Sequence, residues 1–323
     1  MAFDPVPSSI GNGEAVHNAD TFRAEIYANT GGVEGVVRAG DLKVQALAVP
    51  GGGIRIMPGT AIILNSYSGG DGQSYVGRSG EETVMNIAAT GSGAGATRYI
   101  IARIDDPQYG GQASGPTGPY FLPEEVATLT GIQYPYIPLA RIDQPASTAT
   151  ITNAMITNLR QVAIPKSKTY LRTVAVTSGN EQILDSTATY PSGETWPLAA
   201  ETAWGFFDIP SWATRARIVM TWAGVDAEPG DVWGYTWVQI GYTVDPNHVY
   251  TQATNYDTQN ATNRQRLTLV AADDIAIPAA LRGGQHKIYA FGNRNSGSQA
   301  GVHLEIDAGS SMVLQVEFYE EAE

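Results

Sequence analysis

Arg215-Ala216-Arg217-Ile218-Val219-Met220-Thr221-Trp222 and Met312-Val313-Leu314-Gln315-Val316-Glu317-Phe318-Tyr319 decide the fold class, because both repeat with a period of two. Ala216, Ile218 and Met220 fall on one face and Arg215, Arg217 and Val219 on the other. Leu314, Val316 and Phe318 alternate in the same way with Val313, Gln315 and Glu317. Successive side chains of a strand point to opposite faces, so each segment predicts a strand with one buried side. Short runs of similar character at 170–176, 203–209, 232–242, 264–270 and 286–291 extend the pattern. With no strong helix among them, they predict an antiparallel, jelly-roll-like β-sandwich over residues 166–323.

Upstream of Pro165-Lys166-Ser167-Lys168, the candidate linker, the pattern is also β-rich but more broken by glycine and proline. Residues 1–16 read as an extended arm. A helix of about three turns is expected over 18–29, capped by Asn18, carrying Ala19, Phe22 and Ile26 on one stripe and stopped by Gly31-Gly32. Leu42, Val44 and Ala46 then alternate with Lys43 and Gln45, and Ile54 and Ile56 flank Arg55. Strands are expected at 61–64, 82–88 and 99–104, and a β-branched, threonine-rich one at 147–151. Pro123, Glu124 and Glu125 predict a short helix running to Gly131, and residues 153–159 a helical turn or two. Ile101-Ala102-Arg103-Ile104-Asp105 is echoed by Leu139-Ala140-Arg141-Ile142-Asp143, which we read as neighbouring strands of one sheet, since no third copy supports a repeat. The whole chain is therefore mainly β, in two domains, 17–165 and 166–323, with short helices in the first.

The bulk composition narrows the function. The 19 basic and 32 acidic residues leave a formal charge of −13, and the halves before and after the linker are both acidic. Phosphate backbones and anionic membrane surfaces are repelled by such a chain, which excludes nucleic acid as a partner class. Cysteine is absent, which removes disulfides, thiolate–zinc sites and thiol catalysis. No basic start and apolar run marks a secretion signal, and no stretch approaches the roughly 20 apolar residues of a membrane span, so membrane insertion is not expected.

Chemistry-bearing motifs are few. His17, His248, His286 and His303 lie far apart and in no metal-binding spacing. Gly91, Gly93 and Ala96 fit a loose G-x-G-x-x-A, but a strand-like segment follows where a phosphate-binding helix is required. Asp105-Asp106, Asp226 with Glu228 and Asp231, and Asp273-Asp274 are acidic pairs in turn-like settings. Glycoside cleavage needs two carboxyls held roughly 5–9 Å apart, and calcium needs converging oxygens; acids beside glycine and proline more simply populate turns. No catalytic residue, metal ligand or cofactor is assigned. The aromatic residues carry the one candidate site. All the tryptophans lie between Trp196 and Trp237, and Trp233, Tyr235 and Trp237 share one face of a strand, with Tyr242 beyond them. Such a face packs a core or a subunit interface, or stacks on sugar rings where exposed.

Two stretches resemble a known family. Over residues 27–64 these are Ala28-Asn29-Thr30-Gly31-Gly32-Val33-Glu34-Gly35-Val36, Asp41-Leu42-Lys43-Val44, Val49-Pro50-Gly51-Gly52-Gly53 and Met57-Pro58-Gly59-Thr60-Ala61-Ile62-Ile63-Leu64. Later come Pro135-Tyr136-Ile137-Pro138-Leu139-Ala140-Arg141-Ile142-Asp143 and the run Thr148 to Arg160. Together they are similar to the N-terminal region of minor tail and baseplate proteins of siphophages of Gram-positive, especially actinobacterial, hosts. The resemblance covers about residues 15–165, with Asn158 standing where the family often has Asp. It implies a tail-attachment adaptor domain, an exposed C-terminal module, homotrimeric assembly and docking on other tail-tip proteins. The expected role is structural and non-enzymatic, in the virion, after synthesis in the host cytoplasm. Two alternatives follow from the exposed module: recognition of host cell-wall glycan, and depolymerisation of surface polysaccharide.

Overall fold

The computed structural model describes residues 19–111, 119–241 and 247–323. Strands make up 46% of it and helix 9%, so the protein is mainly β. The chain separates into two compact units, residues 1–165 with 321–323 and residues 166–320. The arm expected over 1–16 and the Asn18 cap lie outside the described residues. Among the described residues no helix is long and apolar enough to cross a membrane.

The first unit opens with α1 (Ala19–Thr30), followed by β1 (Gly35–Val36), β2 (Val44–Ala46), β3 (Gly53–Ile56), β4 (Gly59–Leu64), β5 (Ser74–Ser79) and β6 (Thr83–Asn86). Then come β7 (Ala96–Ile104), a 3-10 turn at Pro107–Tyr109, β8 (Phe121–Val126), β9 (Tyr136–Gln144), a 3-10 turn at Asn153–Met155 and β10 (Ile156–Asn158). Three antiparallel sheets result, in the orders β1-β4-β5, β2-β3-β6 and β10-β9-β7-β8. One apolar cluster joins them, built on fully buried Val36, Ile54, Ile63, Ile100, Ile142 and Ile151. The echoed pentapeptides sit on adjacent strands, with Ile100 opposite Ala140 and Ile101 opposite Pro138 across a register shift.

Several expectations are corrected here. Residues 121–126 are strand β8, not a helix start: β8 is an edge strand, where the proline at position 123 has no ladder donor to lose. The 153–159 segment is a 3-10 turn leading into β10, because Ile156–Asn158 finds a partner in β9. Residues 147–151 form no strand, although Ile151 is fully buried. Helix α1 ends at Gly31-Gly32 as expected, both glycines lying in the left-handed region. Its contact face differs: Ala19 and Phe22 are exposed, and the buried residue is Arg23.

The second unit comprises β11 (Ser167–Ala175), β12 (Gln182–Leu184), β13 (Glu194–Thr195), α2 (Leu198–Trp204), β14 (Phe206–Asp208), β15 (Arg215–Ala227) and β16 (Trp233–Ile240). It continues with β17 (Val249–Tyr250), β18 (Thr254–Asp257), β19 (Gln265–Ala276), β20 (Gln285–Arg294), β21 (Leu304–Ile306) and β22 (Ser311–Tyr319). Strands β11, β22, β15 and β19 lie side by side in one sheet, extended by β21 and β12. Strands β14, β13, β20, β16, β17 and β18 form the other, so the chain passes between sheets from β15 to β16 and from β19 to β20. Between them lies a core fed from both sides. Ile218, Met220, Trp222, Leu314, Val316 and Phe318 come from one sheet, and Val238, Ile240, Ile288 and Ala290 from the other. This is an antiparallel, jelly-roll-like β-sandwich, and the inward-facing residues of the two segments quoted at the outset supply the middle of one of its walls. The expected strand over 203–209 begins instead as the end of helix α2, with only Phe206–Asp208 extended.

Candidate functional site

Strand β16 divides its side chains as the period of two requires. Val238 and Ile240 enter the sandwich core, while Tyr235 and Trp237 turn to the opposite face of the sheet. That face is not open. Trp237 is fully buried, stacked on Phe291 at 5.6 Å and met edge-on by Tyr190 at 5.2 Å, with Tyr289 completing a second small apolar cluster. Residues 185–193 form the cover. Asn293 fastens it, accepting from the Tyr235 amide at 2.9 Å and donating to the Ala188 carbonyl at 2.8 Å. The Tyr190 hydroxyl donates to the Thr251 carbonyl at 2.9 Å, and the Asp185 and Ser186 amides donate to Glu194 at 2.6 and 2.7 Å. A covered ring has no face left for a sugar, so Trp237 is a packing residue. Trp233 and Tyr235 are half-buried, and Tyr242 lies outside the described residues. Of the other tryptophans, Trp196, Trp204 and Trp222 belong to the main core and Trp212 packs against it.

The acidic pairs are largely engaged by cations and amides. Asp106 accepts from the Tyr75 hydroxyl at 2.9 Å, the Gln108 amide at 2.9 Å and Arg23 at 3.2 Å. Buried Asp226 accepts from Arg264 at 2.8 Å, and Glu228 lies 3.7 Å from the same guanidinium. Asp274 takes Arg215 at 2.9 Å and the Tyr319 hydroxyl at 2.7 Å, which together with Arg217 hold its carboxyl below the usual range despite burial. Asp273 accepts from the Gln252 amide at 2.7 Å. Among the described residues no three metal-ligating side chains converge. His303 lies 3.5 Å from Asp185, His248 tilts against Tyr250, and His17 is outside the described residues.

One recess of the first unit has no counterpart among the sequence expectations. A cleft of about 670 Å³ is lined by Tyr67, Tyr109 and Tyr134. Arg103, Asp105 and Gln133 supply polar walls, and the exposed hydroxyls of Ser66 and Ser68 stand at its edge. Tyr67 follows β4, Arg103 ends β7, Tyr109 sits on the 3-10 turn after it, and Tyr134 precedes β9. Tyr67 and Tyr109 stack with centroids 5.4 Å apart and planes 7° from parallel. Arg23 backs the Tyr109 ring at 5.4 Å, and also binds Asp20, Gln73 and Gln108. The Tyr67 hydroxyl donates to the Ile104 carbonyl at 3.0 Å, and the Tyr134 hydroxyl to Glu124 at 2.9 Å. Burial, then Glu124, pushes the Tyr134 phenol up to about 12, and burial raises Tyr67 as well, so both stay protonated donors at neutral pH. The Arg103 guanidinium lies 4.7 Å over the Tyr134 ring. It makes an ion-pair contact of 2.6 Å with Glu124 through Nε, outside hydrogen-bond alignment, and a looser one of 3.7 Å with Asp105. Residues so far apart in the chain share no spacing that a sequence pattern reveals; only the order of β4, β7 and β9 in space brings them together.

No family model matches this chain, and no curated protein matches it. Among solved structures, that of infectious bursal disease virus, Gt strain, is 13% identical with a TM-score of 0.23, covering 90% of this chain and 76% of that one. The VP2 subviral particle of infectious bursal disease virus gives 12% and 0.24, over 90% and 72%. The CBM22-1-CBM22-2 tandem domain of Xyn10C from Paenibacillus barcinonensis gives 12% and 0.23, over 88% and 99%. Likenesses of this size carry no functional assignment, and the fold stands on the strand order and core described above.

Proposed function

We propose that this protein is a non-enzymatic structural component of a bacteriophage tail tip or baseplate, with the first unit as its adaptor. The observation that carries this reading is the way the two family-like stretches close on each other. Asn153 Oδ1 accepts from the Ala46 amide at 2.8 Å, and the Ile151 amide donates to the Gly51 carbonyl at 2.9 Å. Arg160 donates to the Ala39 and Asp41 carbonyls at 2.9 and 2.6 Å. Buried Val36 exchanges backbone bonds with Gln161 and Ala163. The residues that carry the resemblance are thus those that clasp the module, as a shared architecture requires. Asp274, held below the usual range by Arg215, Arg217 and the Tyr319 hydroxyl, also supports a role without chemistry, because a carboxylate held ionised is a poor proton donor for glycoside cleavage. Self-association, as a homotrimer, fits the outward face of the β11-β22-β15-β19 sheet, where Leu171, Val219 and Val270 are exposed together.

Immunogold labelling of purified particles with antibody to the full chain tests the assignment. Gold at the tail tip is expected; unlabelled particles, with the protein confined to the lysate, would sink it. Light scattering of the purified chain is expected to return three times 34.3 kDa, and a monomer at micromolar concentration would remove the trimer.

A further inference from the structure

We infer that the tyrosine cleft of the first unit is a binding site for a neutral saccharide. This goes beyond the tail assignment and does not rest on it. Its size falls within the range of small-ligand sites, about 300–1,000 Å³. Its lining is what selects the ligand class. Among the described residues no aliphatic side chain lines it: the apolar surface comes from the half-buried rings of Tyr67, Tyr109 and Tyr134. A peptide anchored by Leu, Ile or Val would find no aliphatic pocket to fill. A pyranose offers one ring face of C–H groups and a rim of hydroxyls, each both donor and acceptor. Flat aromatic carbon beside closely spaced donors and acceptors matches that division. Ser66 and Ser68 contribute hydroxyls, and Gln133, whose amide nitrogen is already committed to the Gly131 carbonyl at 3.1 Å, presents its oxygen.

Charge narrows the class further. Arg103 stands between Glu124 at 2.6 Å and Asp105 at 3.7 Å, and Arg23 behind Tyr109 pairs with Asp20 and Asp106, so the local balance is two cations against four carboxylates. A uronate, sialate or phosphate would meet net negative charge with both guanidinium groups already engaged, which leaves neutral sugars. The rings are also fixed before any ligand arrives, by the stack of Tyr67 on Tyr109, the Arg23 backing and the two phenol hydrogen bonds. Preorganised walls lower the ordering cost of binding, which matters for a ligand that gains little from each contact.

The test uses the full-length protein on a printed array of neutral and acidic oligosaccharides, followed by titration calorimetry with the best neutral binder. Selective binding of neutral glycans is expected. Ser68→Trp, at an exposed loop position, is expected to fill the cleft and weaken binding at least tenfold with an unchanged circular-dichroism spectrum. Tyr134→Ala should weaken it comparably, whereas Tyr250→Ala, on the second unit, should leave it unchanged. Retention of no neutral glycan overturns the proposal. So does affinity indifferent to Ser68→Trp, loss caused by Tyr250→Ala, or preference for acidic glycans. An array-positive protein that is missing from the tail tip would refute the structural role while leaving this site standing.

Discussion

Asp307 receives both arms of the Arg266 fork, Nη1 on Oδ1 and Nη2 on Oδ2 at 2.6 Å each, along with the Gly309 amide at 2.9 Å. The Arg266 bonds are the main reason its carboxyl falls from 3.8 to about 2, against an opposing effect of burial. A depressed folded-state value stabilises the protein fully above 3.8, and that contribution fades as pH drops towards 2. Because Arg266 is 48% exposed, solvent screening limits the pair to about 1 kcal/mol. Asp307→Asn is therefore expected to destabilise the protein by about 1 kcal/mol at neutral pH, with the gap to the parent closing between about pH 4 and pH 2. Urea titrations across that range measure it, and a gap independent of pH would show that the fork contributes nothing through ionisation. None of this was legible in the sequence, where Asp307 is one acid in an Asp-Ala-Gly-Ser turn. Arg23 teaches the same lesson inversely: periodicity put Phe22 against the protein, yet a guanidinium with carboxylate, amide and aromatic partners is what binds α1 down.

Elements were legible where one side is buried and the other wet. Strand β22 keeps strict alternation throughout and β15 as far as its bulge after Ala223, and the sequence locates both. The sequence of β8 predicts a helix because proline followed by two glutamates is good helix-opening chemistry, and only its place at a sheet edge makes it a strand. The aromatic face of β16 failed differently: the shared side of Tyr235 and Trp237 was legible, the segment that covers it was not. That cover depends on Gly193. A Cβ there would come within 2.4 Å of both the Gly292 carbonyl oxygen and the Trp237 ring, and backbone cannot yield as a flexible side chain can. Gly193→Ala is expected to cost about 1–3 kcal/mol and to lift residues 185–193 from the indole, giving a red shift in tryptophan fluorescence. An unshifted spectrum at parental stability would mean that the cover adapts without leaving Trp237.

At the scale of the whole molecule, each unit has its own apolar core, and the chain joins them twice, after Pro165 and again where 321–323 return to the first. The first crossing coincides with a change of composition that the sequence displays. The second does not, since a terminal Glu-Ala-Glu carries no periodicity to read. Arg160 makes it: besides the Ala39 and Asp41 carbonyls, the buried guanidinium donates to the Glu323 carbonyl, and the Asn158 side-chain Nδ2 donates to that of Ala322 at 3.0 Å. Burial lowers Arg160 to about 10, which leaves it charged at neutral pH. Arg160→Met keeps the stem but strands several carbonyls without a donor, at a cost of about 2–4 kcal/mol. Separate cores predict two calorimetric transitions, and this substitution should move one of them down by roughly 5–10 °C. Ile218→Ala, in the fully buried centre of the sandwich, should move the other, since truncation there costs about 2–5 kcal/mol. The two variants label the transitions independently of any assumption about which unit is the more stable. If both substitutions shifted a single transition together, the cores would be unfolding as one, and the two units would be parts of one cooperative body.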